Sequence, residues 1–369
     1  MSGLRLTRLG KIMEPGPGDP HEVEGVLNPA AVRGPDGHLY LFPRLVAANN
    51  YSRIGIARVQ FNAQGDPSGV ERLGIALEPE AEYELRPNGG GGCEDPRVTH
   101  VPTLGIYVMT YTAFSPRGPR IALATSKDLF HWKRLGLAHF DPFDGLSSED
   151  VDDKDSCLFP TAMMDPGGKP ALALLHRPLF PGTLPAETVT AGPGRTVDLG
   201  RESIWISYWL LNANGGLGDK TLRFVTHERL ATPIAPWERL KIGAGTPPVL
   251  TPHGWLIIYH GVGCPSGAGN TDQRLRYSAG AMVLKAGKPT SIVYRSEEPL
   301  LTPYLAEDRH GTLADVVFPT GIDRRDDLGQ PNRFDVYYGM GDRAIGVATL
   351  DLPDTLPPGA ENDPPTATV

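Results

Sequence analysis

The chain has 369 residues, with 35 basic against 43 acidic side chains and a formal charge of −8. That balance excludes a polyanion-coating surface, so nucleic acid is not an expected partner. The 44 glycines and 37 prolines exceed a fifth of the chain, against an average of about 12 %. Because 40 % of residues are apolar and 8 % aromatic, disorder does not explain them; they read as punctuation between many short strands.

No run approaches the ~20 apolar residues of a membrane-spanning helix. Residues 1–6 lack the charged start and apolar stretch of a signal peptide, and a soluble cytoplasmic protein is expected. Cys93, Cys157 and Cys264 are too far apart and too few for a disulfide framework or a paired metal motif. No metal or organic cofactor is expected.

In chain order, short apolar, β-rich runs begin at Leu39, Tyr107, Ala171, Trp255 and Phe334, 64–84 residues apart. Each is followed by a second run, beginning at Arg53, Arg120, Ser203, Tyr277 and Ala344. Five near-equal units with at least two adjacent strands each are the pattern of radial repetition. The expected fold is all-β, a five-bladed β-propeller, because a ring of blades buries both faces of each sheet and protects most strand edges. A β-sandwich with long loops is the alternative, but its strands need not recur in five pairs. A single propeller domain is expected over residues 1–352, followed by a proline-rich tail, 353–369, loose or draped over the surface.

Polar groups gather at the ends of these runs. The sharpest segment is Gly89–Gly92 followed by Cys93-Glu94-Asp95-Pro96-Arg97. The glycines permit unusual backbone angles and close approach of a ligand, and a carboxyl that stays protonated near neutrality needs burial or a nearby anion. The plainer reading is a glycine-rich surface turn with a local Glu–Arg pair. Asp152-Asp153-Lys154-Asp155 enters the third unit; its neighbouring acids lack calcium-loop spacing, and Lys154 and Asp155 precede an apolar strand that draws them inward. His176-Arg177-Pro178 offers an imidazole and a planar guanidinium for an oxyanion; strand alternation turns only one of the two inward unless the strand ends there, as Pro178 suggests. His260, after Tyr259, stands at another strand end; a lone histidine there is more often a structural donor. No Walker loop, dinucleotide fingerprint, nucleophile elbow or zinc-protease motif is present.

Together, Asn28-Pro29, Arg53 within Tyr51-Ser-Arg-Ile-Gly, Glu94-Asp95-Pro96-Arg97, Lys154-Asp155 with Phe159-Pro160, His176-Arg177-Pro178 and Tyr259-His260-Gly261 resemble glycoside hydrolase family 130. The resemblance continues through Val316–Pro319 and Tyr337–Gly339 and covers residues 25–350. It implies a five-bladed propeller acting on β-mannosides, by inverting phosphorolysis in most members and by hydrolysis in some. It implies Asp95 as the general acid, acting through a mannosyl hydroxyl, and inorganic phosphate as the attacking co-substrate. Lys154, His176, Arg177 and His260 would hold the phosphate. Asn28, Arg44, Arg53, Asp155 and Asp342 would contact sugar hydroxyls, and Arg97 would orient the acid's turn.

A hydrolase on the same fold would need a second carboxylate to deprotonate water, with Glu202 or Glu307 available. A non-catalytic carbohydrate-binding propeller would need only aromatic platforms and hydrogen bonds, such as Trp205, Trp255 and Tyr111. Thr161-Ala-Met and the insertion from Leu179 to Gly200 depart from the family pattern, so the acceptor sugar and linkage are not carried over. A homo-oligomer is compatible with the sequence.

Overall fold

The computed structural model describes residues 4–87, 89–143, 147–148, 151–180, 201–217, 222–264, 275–304 and 315–360. Among them the regular structure is β-strand, with three short 3-10 turns and no α-helix. No helix there is long and apolar enough to cross a membrane.

Among the described residues the strands fall into five antiparallel units of four, with the short strands His139–Phe140, Met163–Met164 and Val249–Thr251 added to the third and fourth. The first runs Gly25–Arg33, Leu39–Ala47, Tyr51–Phe61, Pro67–Leu77. The second runs Gly91–Val101, Ile106–Ser115, Gly118–Ser126, Lys133–Leu137 and joins the first through a short parallel pairing of Tyr51–Ser52 with Gly91–Gly92. Asp153–Leu158, Pro170–Pro178, Ile204–Leu210 and Arg223–Ala231 form the third. Lys241–Gly243, Gly254–Gly263, Arg276–Lys285 and Lys288–Arg295 form the fourth. Val317–Arg324, Arg333–Met340 and Ala344–Asp351 form the fifth, whose outer strand is the N-terminal Leu6–Met13 paired antiparallel with Ala344–Asp351.

Apolar side chains fill the seams between these units in cyclic order. Phe42 and Ile54 meet Met109 and Tyr111 between the first and second. Leu123 meets Leu172 and Phe224 between the second and third. Leu175 and Ile206 meet Trp255 and Ile257 at the next seam. Leu256 and Ile258 meet Val336 and Leu350 between the fourth and fifth, and Val347 and Ile345 return to Leu39 and Leu41 of the first. The run Trp255-Leu-Ile-Ile-Tyr is continuous rather than alternating because successive side chains point to opposite faces and each face lies in a different seam.

The recurring runs of the sequence are the second and third strands of each unit. The first strands have a different character: four carry a register slip, at Leu27/Ala30, Glu94/Arg97, Lys154/Cys157 and Pro319/Gly321. At three of the slips a polar residue takes a left-handed backbone, Asn28 (φ 46°), Asp95 (φ 44°) and Asp155 (φ 56°). Such bulges re-aim a side chain, and Asn and Asp tolerate this conformation better than most residues.

Beyond residue 352 the chain lies against the fourth and fifth units. His253 Nε2 bonds the Pro353 carbonyl at 2.8 Å, and the Ala360 amide donates to the Arg295 carbonyl at 2.9 Å. Residues 361–369 and most of the expected Leu179–Gly200 insertion lie outside the described residues.

Candidate active site

The bulged first strands bring one acidic and one cationic group of side chains together. On the acidic side, Asp95 accepts a hydrogen bond from Asn28 Nδ2 at 2.8 Å and one from Arg44 at 3.3 Å. Arg44 also donates to Glu94 at 2.8 Å and to Ser52 Oγ at 2.9 Å. Burial disfavours the charge on Asp95, yet Arg44, Arg97 and the Asn28 amide outweigh it and hold the carboxyl below its usual range. Its neighbours move the other way. Burial pushes Glu94 up against the pull of Arg44, with Asp95 adding to the rise. Asp342 is pushed up to about 6 by burial and, against Arg44, by the charges of Asp95 and Glu94. The raised carboxyl expected at Asp95 is therefore found beside it, because Asp95 is held by Arg44, Arg97 and Asn28.

Arg97 is fully buried and links this group to the rest. It donates to the main-chain carbonyls of Asp95 (2.8 Å), Gly245 (3.0 Å) and Ala244 (3.3 Å), and stands 3.8 Å from Asp155. Asp155 accepts from Arg177 Nε at 2.6 Å and faces His260 Nε2 at 3.5 Å. Although buried, it is held well below its usual value by Arg177, His260 and Arg97. Arg177 is also paired with Glu202, and its cross-strand partner is Lys154. His260 is fully buried with neither ring nitrogen hydrogen-bonded. Burial lowers it to about 3, so it is neutral, a free donor and acceptor packed 4.3 Å from the Phe318 ring.

Two expected site residues lie elsewhere. His176 is on the opposite side of its strand from Arg177, its ring nitrogens 2.7 Å from Asp153 and 2.7 Å from Ser207, stacked on Phe140. Strand alternation accounts for the split. Arg53 is engaged bidentately by Glu78 at 2.8 and 2.9 Å. Two residues the sequence reading passed over join the cluster. Tyr277 stacks beside His260 and Phe318, its hydroxyl raised by burial within the fields of Arg177, Asp342, Asp155 and Lys154. Lys241 places its ammonium 5.5 Å from the Tyr277 ring. In the sequence Tyr277 reads only as the start of a strand.

The glycine run has a different reason from the one expected. Gly91 and Gly92 have φ of 72° and 106°, and a Cβ on either would strike the carbonyl oxygen of Phe114 or Ser52. Glycine lets the second unit's first strand wedge between its neighbours, rather than opening the backbone to a ligand.

A family model described as β-1,4-mannooligosaccharide phosphorylase, glycoside hydrolase family 130, matches residues 8–180 and 205–356. A 1,2-β-oligomannan phosphorylase of Thermoanaerobacter sp. (strain X514) is 30 % identical over 360 residues, 95 % of this chain and 99 % of the relative. A β-1,2-mannobiose phosphorylase of the same organism is 28 % identical, across 94 % of this chain and 98 % of its own. Among solved structures, the β-1,2-mannobiose phosphorylase of Listeria innocua in complex with β-1,2-mannobiose aligns with a TM-score of 0.67 at 21 % identity, covering 95 % of this chain and 97 % of that one. This chain belongs to glycoside hydrolase family 130.

Proposed function

We propose that the five units are the blades of one propeller, a single catalytic domain ending near residue 352, that cleaves β-linked mannosides by inverting phosphorolysis. Asp95 is the general acid. Its proton passes through a hydroxyl of the bound mannosyl unit to the glycosidic oxygen as the bond from the anomeric carbon to that oxygen breaks. An inorganic phosphate oxygen attacks the same carbon from the opposite face, giving α-mannose 1-phosphate, a shortened saccharide and an Asp95 carboxylate. Asn28 and Asp342 contact the mannosyl unit, with Arg44 shared between sugar and acid. Arg177, Lys154 and the neutral His260 receive phosphate, and Lys241 and Tyr277 complete that half. No resident cofactor is assigned, and the buried free thiols Cys93 and Cys157 accord with a reducing cytoplasm.

The observation that carries this reading is the separation of one part-buried carboxylate, Asp95, from a cationic pocket by the Arg97–Asp155 link. Phosphate is already an anion and needs cations rather than a second base. Protonation of Asp95 is coupled to loading: sugar displaces solvent at Asn28 and Arg44, and an entering anion offsets the cations that keep the acid ionised. The hydrolytic reading has one point in favour: Glu202 is buried beside the pocket. It is held by Arg177, however, which leaves it a poor base.

Incubation with β-manno-oligosaccharides with and without phosphate tests the reading. Phosphate-dependent release of α-mannose 1-phosphate is expected, and Asp95→Asn should lower the rate by about 10²–10⁴-fold while retaining mannoside binding. Equal release of free mannose with and without phosphate would refute it.

A further inference from the structure

We infer that His176 serves phosphate without touching it: together with Asp153, Ser207 and His227 it is a positioning residue that sets Lys154 and Arg177 in the cationic half of the site. This inference rests on the phosphorylase reading above. The four side chains come one from each of the four strands of the third unit. His176 Nδ1 lies 2.7 Å from Asp153 Oδ2 and its Nε2 lies 2.7 Å from Ser207 Oγ, which in turn lies 2.7 Å from His227 Nδ1. Asp153, His176 and Ser207 are buried. The last link is made by a distorted backbone. Thr226 and His227 together oppose Ser207, in the slip between the pairs Ile206–Glu228 and Tyr208–Val225, and Thr226 has a φ of 53°. A β-branched residue rarely adopts that conformation; here the bulge aims His227 at Ser207.

The chain of bonds has one polarity. Burial, with His176 adding to it, lowers His227 to about 4, so that ring is neutral. The Asp153 carboxylate takes the Nδ1–H of His176. With the His176 ring neutral as well, its Nε2 is an acceptor, so Ser207 must donate to it and accept from His227 Nδ1–H. Each group then has a single role, and removing one link loosens the next.

The inner end of this chain carries the site. Pro178 stands opposite Asp153 and has no N–H to give the ladder. The Asp153 carboxylate instead accepts from the Arg177 amide, at 3.2 Å. Lys154 and Asp155 follow directly, at the slip between Lys154 and Cys157 where the ladder is interrupted. A tilt of Asp153 therefore moves Lys154, Asp155 and Arg177 together. Asn28, Arg44, Asp95 and Asp342 belong to other units and stay in place, so the mannosyl side is spared.

The test is phosphorolysis with inorganic phosphate and β-manno-oligosaccharide varied in turn, by the wild type, His176→Phe, His176→Gln, Ser207→Ala and Leu174→Val. Phenylalanine keeps the stack on Phe140 and loses both polar links; KM for phosphate should rise about tenfold while KM for the saccharide stays within about twofold. Ser207→Ala leaves the imidazole in place without its support and should raise KM for phosphate by about threefold. Glutamine offers Asp153 a donor and Ser207 an acceptor, so His176→Gln should recover most of the loss. Leu174→Val, on the same face of the same strand, should lower Tm and leave both KM values unchanged. If leaving Asp153 without its partner keeps His176→Phe from folding, Ser207→Ala carries the test. An equal rise in both KM values, an unaltered KM for phosphate in Ser207→Ala, or a Leu174→Val that weakens phosphate as much as Ser207→Ala would overturn the inference and leave the phosphorylase reading intact. Absence of phosphate-dependent cleavage by the wild type would remove both.

Discussion

The second and fourth units are built on the same latch and differ at the centre. In the second, Glu84 at the end of a 3-10 turn accepts from the Glu80 and Ala81 amides (2.9 and 3.0 Å), from Tyr111 of the second strand (2.6 Å) and from Arg134 of the outer strand (2.9 Å). In the fourth, Glu238 accepts from the Ile234 and Ala235 amides (3.1 and 3.2 Å), from Tyr259 (2.7 Å) and from Arg295 (2.7 Å). The correspondence extends to the strand that supplies each partner. At the centre, however, the second unit presents Glu94, Asp95 and Arg97, whereas the fourth presents Gly243-Ala244-Gly245, whose contribution is main-chain carbonyls for Arg97. Repetition holds the units closed; the chemistry sits where the repeat is broken.

The largest expected effect comes from filling the space the fourth unit leaves. A Cβ on Gly243 would run into Asp155 Oδ2 and the His260 ring, displacing two members of the cationic half together. A misplacement of about 1 Å can cost roughly 10²-fold in rate. Gly243→Ala should therefore lower kcat/KM by about that factor and weaken phosphate more than mannoside. Gly287→Ala, in the same unit but with no heavy atom within 4 Å, should leave kinetics unchanged. Equal kinetics for both variants would mean the gap has no role.

Breaking the latches should change stability and spare chemistry. Removing one partner of a buried ion pair costs about 3–5 kcal/mol. Both glutamates are fully buried, but the Arg295 side chain is 0 % exposed and that of Arg134 is 20 % exposed. Water can re-solvate Arg134 when its partner is lost, so Glu238→Gln should lower Tm by more than Glu84→Gln. Specific activity of the folded fraction should stay near wild type in both. A larger loss for Glu84→Gln would show that solvent access does not set the difference.

The same contrast explains what was legible in the sequence. The second and third strands of every unit are buried on both faces, so Trp255-Leu-Ile-Ile-Tyr and Tyr107-Val-Met-Thr-Tyr announce themselves as continuous β-rich runs. The first strands do not, because the bulges that aim Asn28, Asp95 and Asp155 require glycine, proline and charge where a strand ordinarily carries apolar residues. By composition they read as polar segments preceding strands. Asp95, Arg44, Lys154, Asp155, Arg177, His260 and Asp342 nonetheless gather around one centre. His176 does not, since one-residue alternation decides its face and no motif reports it. Tyr277 and Lys241 stayed hidden because an aromatic or a lysine at a strand end has no composition signal.

The smallest expected effect separates the two halves of the site by the sign of their pH dependence. His260, lowered to about 3 by burial, contributes stability that is present above its unfolded value of about 6.5 and is lost as pH falls below it. Asp342, raised to about 6 by burial beside Asp95 and Glu94, works in the opposite direction. Its contribution is complete below the unfolded value of about 3.9 and is lost as pH rises through about 6. Asp342→Asn removes a carboxyl that is costly to ionise in place. Relative to wild type, the variant should therefore become progressively more stable between pH 5 and pH 7.5, by about 1 kcal/mol. Urea unfolding at the two pH values reads the difference directly. A constant offset would mean that Arg44 already holds Asp342 ionised beside Asp95.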